Sequence, residues 1–197
     1  MWEVRLKIRR ILVLNNSSET LDKLVNFLKS FNEVKVDVKK PGEILQPNNY
    51  HGVVISGGFL PNERYRELLI WYKNFLSEVQ CPVLGICLGL RIFGYCYGAR
   101  IRKMEKEENG IVKIFFHREY PLAPGRKELT VYETHLYELI STGEYLENYG
   151  SSTVCRIQAV KHKSKPHYAV QFHPEVGENN EGPLILENFV RLCVKQS

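Results

Sequence analysis

The sequence lacks the features that mark several large classes of protein. It has five cysteines, an odd count with no pair at the spacing of a metal site, so we expect neither a full disulfide framework nor a bound metal. Free cysteines are typical of a reducing compartment, which predicts a cytoplasmic protein. No apolar run approaches the roughly 20 residues that span a bilayer, and residues 1–5 lack the apolar core of a signal peptide. We therefore expect no membrane partner.

Strong charge, repeats and linkers are also missing. The chain carries 27 basic and 22 acidic residues, a net charge of +5 that is spread along its length. The mixed run 100–108 is typical of a solvated face or loop rather than a nucleic-acid patch, so we expect no direct nucleic-acid partner. The 197 residues show no repeat or low-complexity tract, and we expect one domain over 1–197. A nucleotide-binding P-loop is absent, and we expect no cofactor.

The chain does contain a regular alternation of apolar segments. In the first half, short apolar runs that predict buried strands alternate with amphipathic stretches at helical spacing. This alternation predicts an α/β fold with a central, mostly parallel open sheet and helices on both faces. The second half is richer in strands, which we expect to form a smaller antiparallel region. The predicted strands are 11–14, 34–38, 52–55, 83–86, 111–116, 129–134, 154–160 and 168–172, and the predicted helices are 21–31, 62–79, 184–194 and one that begins at 88.

The most informative segment is Gly85-Ile86-Cys87-Leu88-Gly89, which lies between a predicted strand and a predicted helix. A reactive residue flanked at two positions either side by glycine, in this context, has the form of a nucleophile elbow. Such a turn raises the side chain above the sheet and places the sulfur at a helix N-terminus, which favours the thiolate. The alternative is that Cys87 is a small apolar residue of the core.

A candidate base follows the last predicted strand, in His173-Pro174-Glu175. Catalytic sites of open parallel sheets form at the carboxyl ends of strands, where Cys87 also lies. In an extended segment, residues two apart point to the same side, so His173 and Glu175 can lie side by side. The carboxylate can then hold one ring nitrogen of the histidine while the other faces the thiol, as in a catalytic triad. A structural role for His173 alone is the competing interpretation.

Together these motifs resemble the class I, triad-type glutamine amidotransferases. The cysteine elbow, the segment Gln171 to Glu175 and the loop Ser56-Gly57-Gly58 match the family's nucleophile, base and oxyanion motifs in order and spacing. The resemblance covers roughly residues 10–194 and implies a flavodoxin-like fold. Within the family, segments 131–135 and 159–173 are most similar to the glutaminase subunits of GMP synthases.

The resemblance implies a mechanism for this chain. Cys87 attacks the side-chain amide of glutamine, His173 transfers the proton as ammonia leaves, and Glu175 orients His173. Water then hydrolyses the resulting glutamyl thioester. The backbone N–H groups of Gly58 and Leu88 hold the developing oxyanion.

The resemblance also suggests where the substrate binds, and here the sequence departs from the family pattern. Phe59 replaces the usual proline after the second loop glycine, and Arg91 replaces the usual glutamine four residues after the nucleophile. We expect the guanidinium of Arg91 to bind the α-carboxylate of the substrate, unless it is merely a residue of the helix surface. The full set of expected substrate contacts is Gly57, Phe59, Arg91, Thr134, His135 and Leu136.

These features leave three functions open. The first is a glutaminase subunit that passes ammonia to a separate ATP-dependent synthetase, because this chain has no P-loop of its own. The second is a stand-alone γ-glutamyl hydrolase or amidase with an altered pocket. The third is a catalytically silent regulatory module that has kept the fold.

Overall fold

A computed structural model describes residues 7–43 and 46–195 of the chain. Residues 1–5, on which the signal-peptide prediction rests, lie outside this part. Among the described residues, no helix has the length and apolar character needed to cross a membrane. The strands are β1 (Arg9–Asn16), β2 (Val34–Lys39), β3 (Gly52–Gly58), β4 (Val83–Ile86), β5 (Ile101–Phe116), β6 (Glu128–Leu139), β7 (Leu146–Ser151), β8 (Ala159–His162) and β9 (His167–Val170). The α-helices are α1 (Leu21–Lys29), α2 (Tyr65–Glu78), α3 (Leu88–Cys96) and α4 (Pro183–Lys195).

These strands form one sheet in the order β2-β1-β3-β4-β9-β8-β7-β5-β6. The run from β2 to β9 is parallel throughout, whereas every later pair is antiparallel. The fold predicted from the sequence, a parallel sheet extended by an antiparallel region, is confirmed. Because β4 and β9 are neighbours, the segments that follow them meet at one edge of the sheet.

Helices cover both faces of the parallel part. In β1, Ile11 and Val13 point to one face, and Leu12 and Leu14 point to the other, since successive side chains alternate. All four are fully buried, which explains why the strand is apolar without interruption. The first face packs against α1 and α4, and the second packs against α2 and α3.

The charged run 100–108 is a solvated face rather than a loop, because from Ile101 it belongs to β5, whose side chains there are mostly exposed. The antiparallel region differs from the prediction in one place. The strand predicted over 154–160 is wrong, because the ladder is formed by β7 and by β8, which begins at Ala159. Between them the chain turns around Ser152, whose hydroxyl accepts a hydrogen bond from the backbone N–H of Cys155 at 2.9 Å. Such a side-chain bond offers the backbone an alternative to the ladder.

Candidate active site

Cys87 lies in the sharp turn between β4 and α3, with φ 50° and ψ −94°. A positive φ is rare for a residue with a side chain and indicates a turn held by its surroundings. Its backbone N–H donates to the carbonyl of Val170 at 2.8 Å, which ties the turn to β9. A Cβ at Gly89 would lie 2.7 Å from the carbonyl oxygen of Ile55, so only glycine allows α3 to approach β3 this closely. The glycine spacing seen in the sequence therefore has a packing cause.

His173 and Glu175 lie beyond the end of the neighbouring strand β9 and face Cys87. The backbone N–H of His173 donates to the carbonyl of Tyr132 at 2.9 Å, which fixes the segment against β6. Nδ1 of His173 lies 2.8 Å from Oε1 of Glu175. Burial by itself lowers the pKa of His173, but side-chain hydrogen bonds to Cys87 and Glu175 outweigh it and raise the pKa to about 11. The structure thus brings the three candidate residues together: Glu175 holds His173, and His173 lies with Cys87 on the wall of one cavity.

Two further side chains, which the sequence motifs did not point to, contact Glu175 and Cys87. The hydroxyl of Thr20, at the start of α1, donates to Oε1 of Glu175 at 2.6 Å. The buried amide of Gln171 donates to Sγ of Cys87 at 3.7 Å. Gln171 lies within the base motif, so its position in the sequence could have predicted a contact with the site. Thr20 is 155 residues away from its partner, and no local signal marks it.

The loop Ser56-Gly57-Gly58 lies at the end of β3 and is held by a buried polar network. Gly58 has φ 106°, and a Cβ there would lie 2.2 Å from the carbonyl oxygen of Asn16. Asn16 itself donates from its backbone N–H to the hydroxyl of Ser56 at 2.9 Å, and its side-chain oxygen accepts the hydroxyl hydrogen of Tyr72 at 2.7 Å. Leu88 is the first residue of α3, so the helix supplies no acceptor for its N–H. The loop and the helix terminus both lie beside Cys87.

A cavity of about 440 Å³ opens in front of Cys87 and His173. Five of the expected substrate contacts lie on its wall, together with Gly58: Phe59, Arg91, Thr134, His135 and Leu136. Gly57 is not on the wall but lies behind the imidazole, where a Cβ would be 2.9 Å from Cε1 of His173. The backbone carbonyl of Thr134 is 3.9 Å from the sulfur.

The mouth of this cavity is aromatic and carries one cation. The guanidinium of Arg91 lies over the ring of Tyr137, with Cζ 5.1 Å from the ring centroid. Phe59 stands on the same mouth with 62% of its surface exposed. A cation stacked on an aromatic ring keeps its N–H edge free to bind a planar anion.

Behind the cavity lies a buried acidic group that the sequence did not reveal as a site. Glu133 is fully buried, and burial together with the nearby Glu108 and Cys87 raises its pKa well above its usual range. His135 lies between the two carboxylates, with Nε2 3.1 Å from Glu108 and 3.3 Å from Glu133. A signal did exist, because Leu129, Val131, Glu133 and His135 alternate along β6 and therefore share its buried face.

Fold and site together define a class: α/β proteins in which a cysteine elbow faces a histidine–carboxylate pair across adjacent parallel strands. The family model "Glutamine amidotransferase class-I" matches residues 12–193. The chain therefore belongs to the class I glutamine amidotransferases, as the resemblance in its motifs predicted. Hydrolysis of glutamine to supply ammonia is the general role of this family.

Within the family, the chain is similar to the A subunits of glutamine-hydrolyzing GMP synthases from several archaea. It is 33% identical over 188 residues to the protein of Methanococcus aeolicus, covering 93% of this chain and 97% of the relative. It is 35% identical over 155 residues to that of Pyrococcus abyssi, covering 78% and 81%. The crystal structure of a candidate A subunit of GMP synthase from Thermoplasma acidophilum matches with a TM-score of 0.83 at 28% identity, over 94% of each chain. A glutamine amidotransferase from Thermotoga maritima, with a TM-score of 0.79 at 18% identity over 96% of this chain and 99% of that one, shares the fold.

Proposed function

We propose that this chain is the glutaminase component of a GMP synthase-like enzyme and that Cys87, His173 and Glu175 are its catalytic triad. The observation that carries the proposal is that His173, held by Glu175 at 2.8 Å, lies together with Cys87 on the wall of a cavity of about 440 Å³. A nucleophile, a base and an orienting carboxylate in this order are what cleavage of an amide through a thioester needs.

The chemistry follows from these contacts. The thiolate of Cys87 adds to the amide carbon of glutamine, while His173 gives its proton to the departing nitrogen so that ammonia leaves and a thioester forms. Water, activated by the now neutral imidazole, hydrolyses the thioester to glutamate and restores the thiol. Glu175 holds Nδ1 of His173 through the 2.8 Å contact and so keeps Nε2 directed at the sulfur. Gln171 donates to that sulfur from the side of β9.

The oxyanion formed in both steps needs hydrogen-bond donors. We assign the N–H groups of Leu88 and Gly58 to this role, because both residues lie beside the sulfur and the glycine has no side chain to obstruct the substrate. Losing one such donor typically raises the barrier by about 2.7–4 kcal/mol. The network of Asn16, Ser56 and Tyr72 fixes the Gly58 loop before the substrate arrives.

Ammonia released here must have an acceptor. The curated relatives are named as the A subunits of glutamine-hydrolyzing GMP synthases, and this chain has no P-loop for activating an acceptor with ATP. We therefore assign it a partner, an ATP-dependent synthetase subunit that receives the ammonia and forms GMP.

The direct test is to measure glutamate release from glutamine with and without the neighbouring synthetase. We expect release that the synthetase stimulates strongly and that is lost in Cys87→Ala. The matched control is Cys96→Ala, since Cys96 lies on α3 but does not line the cavity. A glutamine-like electrophile should label the wild type at Cys87. Absence of both labelling and glutamate release with the partner present would instead support a silent regulatory module.

A second candidate, a stand-alone γ-glutamyl hydrolase or amidase, is favoured by the cavity mouth. The stacked pair of Arg91 and Tyr137 and the exposed Phe59 form a wall of a kind suited to a larger γ-glutamyl compound. Mass spectrometry of γ-glutamyl compounds incubated with the chain distinguishes the candidates. Cleavage of such compounds in preference to glutamine, without stimulation by a synthetase, would favour the hydrolase.

A further inference from the structure

The wall of the cavity in front of Cys87 carries charges of both signs. Arg91 contributes a cation, and Glu19 and Glu107 each contribute a carboxylate. Within the part of the chain that the structure describes, none of these three side chains forms an ion pair with another residue. Their charges are therefore not neutralised by the protein and are available to a charged ligand that enters the cavity.

Glu107 reaches this wall through an irregularity in the β5–β6 ladder. The register shifts between Lys103 and Glu108, so residues 104–107 of β5 lie opposite Leu136 alone. Leu136 itself lines the cavity. Bulges are common next to active sites, where the extra residues redirect a side chain. The bulge therefore explains how a residue from the exposed, charged start of β5 contributes to the catalytic cavity.

A hydrogen bond fixes the carboxylate of Glu107 close to the nucleophile. The hydroxyl of Thr134 donates to Oε1 of Glu107 at 3.0 Å, and the backbone carbonyl of the same threonine lies 3.9 Å from Sγ of Cys87. Oε2 of Glu107 has no hydrogen bond to another described residue, so it can accept one from a ligand. Glu19 differs, because among the described residues no hydrogen bond holds its side chain. Glu107 is thus the better positioned of the two carboxylates to bind a cation.

Thr134 and Tyr137 anchor the two charged side chains at a separation suited to an α-amino acid. Thr134 holds Glu107, and the ring of Tyr137 lies against the guanidinium of Arg91. The two anchors are three positions apart on β6, which is roughly 10 Å along an extended strand. The carboxylate and ammonium of an α-amino acid share one carbon, so one such group fits between side chains anchored at this separation. In glutamine, two methylene groups join that carbon to the amide carbon that Cys87 attacks.

We propose that Glu107 binds the α-ammonium group of the substrate, while Arg91 binds its α-carboxylate. This inference rests on the proposed function and names the class of substrate for the same cavity. A contact between a carboxylate and an ammonium is a charge-assisted hydrogen bond, which is stronger than a bond between neutral groups. The two contacts together hold the α-amino acid end of the substrate on the wall and leave its side-chain amide to Cys87.

The proposal defines which compounds the cavity accepts. Free glutamine and free γ-glutamyl compounds both present an ammonium and a carboxylate on one carbon. A glutamine residue within a peptide presents neither, since its α-nitrogen and α-carbonyl are in neutral amide bonds. A site built to hydrogen-bond a polar group discriminates strongly against analogues that lack it. This chain should therefore not deamidate glutamine residues of proteins.

Glutaramate, which is glutamine with hydrogen in place of the α-ammonium group, isolates this contact. Hydrolysis of both compounds by the full-length wild type, Glu107→Gln and Glu19→Gln is measured as release of glutamate or glutarate, with the synthetase present. We expect the wild type to prefer glutamine by about tenfold or more in kcat/KM. Glu107→Gln should lose most of this preference through a higher KM for glutamine, without losing activity toward glutaramate. Glu19→Gln, a matched change on the same wall, should keep the wild-type preference. If glutaramate is not hydrolysed, its inhibition constant against glutamine gives the same comparison.

Two outcomes would overturn the proposal. A wild-type preference for glutamine in Glu107→Gln would show that this carboxylate does not contact the ammonium group. An equal loss of activity toward both compounds in Glu107→Gln would show that the residue has a structural role only. Failure of the proposed function is distinct from both, because the wild type itself would then hydrolyse neither compound and would not be labelled at Cys87. In that case the assignment of Glu107 falls with it.

Discussion

Arg91 is the residue at which this cavity departs most from the family pattern. Its guanidinium lies over the ring of Tyr137, and Arg91 lines the same cavity as Cys87. We predict that Arg91→Gln raises KM for glutamine about tenfold, with little change in kcat, because a charge-assisted hydrogen bond to the α-carboxylate contributes roughly 1.5–3 kcal/mol. Steady-state assays of glutamate release measure both constants.

Arg66→Gln is the matched control for Arg91, since Arg66 is exposed on α2 and does not line the cavity. It should leave both constants unchanged. An Arg91→Gln variant with wild-type KM would show that the guanidinium does not bind the substrate and belongs to the helix surface.

Thr20 is predicted to act through Glu175. Its hydroxyl donates to the carboxylate oxygen that also holds His173. Thr20→Val, which keeps the shape but removes the donor, should lower kcat about tenfold, because hydrogen bonds to charged groups contribute roughly 1.5–3 kcal/mol. Thr20→Ser retains the hydroxyl and should restore kcat. Equal kcat values for the valine and serine variants would exclude this positioning role.

At the residue scale, the sequence reveals side chains that stand in short motifs. Cys87, His173 and Glu175 could be singled out together, because an elbow and a strand end constrain their neighbours locally. Thr20 and Glu133 were missed, because each gains its contacts from a segment far away in the chain. A single sequence contains no signal for such a contact unless a fold is already assumed.

At the element scale, the loop at the end of β3 depends on one glycine. We predict that Gly58→Ala reduces glutaminase activity by a factor of about 100 or more, since the new Cβ would collide with the carbonyl of Asn16 and displace an oxyanion donor. Gly110→Ala is a matched control: it has φ 110° and no atom within 4 Å of the added Cβ. Both variants carry the backbone strain of a positive φ, so only the collision differs. Comparable losses of activity in the two would contradict this account.

The parallel elements were predicted well and the antiparallel ones less well, for a physical reason. Strands such as β1 and β3 are buried on both faces and appear as uninterrupted apolar runs. The strand β7, Leu146–Ser151, mixes polar residues with glycine, and the charged start of β5 is exposed. Such strands are formed by their ladder partners rather than by their own composition.

At the scale of the whole molecule, two buried histidines respond to pH in opposite directions. Burial lowers the pKa of His167 to about 3. Between about pH 6.5 and 3 the unfolded chain binds a proton there that the folded chain does not, so acidification lowers the free energy of unfolding. The raised pKa of His173 has the opposite effect: its contribution is complete below about pH 6.5 and is lost as the pH rises through about 11.

His167→Asn should therefore reduce the pH dependence of stability by up to about 1.4 kcal/mol per pH unit on the acid side of the window. Asparagine can still accept the hydroxyl hydrogen of Tyr97, which now lies 2.6 Å from Nδ1. Urea unfolding between about pH 6.5 and 5.5 avoids most carboxylate titration. His117→Asn, at an exposed position, is the control and should keep the wild-type slope. If the free energy of unfolding of His167→Asn depends on pH as steeply as that of the wild type, the lowered pKa of His167 is not the cause of that dependence.

The pairing of β4 with β9 has a consequence for how activity is gained during folding. Cys87 and Gln171, which this pairing brings together, are 84 residues apart in the chain. Closing so large a loop costs entropy before any contact repays it, and contacts of high sequence separation form slowly. Catalytic activity should accordingly return later than helical circular dichroism when the chain refolds from denaturant. Enzymatic turnover would then report the last long-range step of folding, and nascent chains that lack their final strand would be inert.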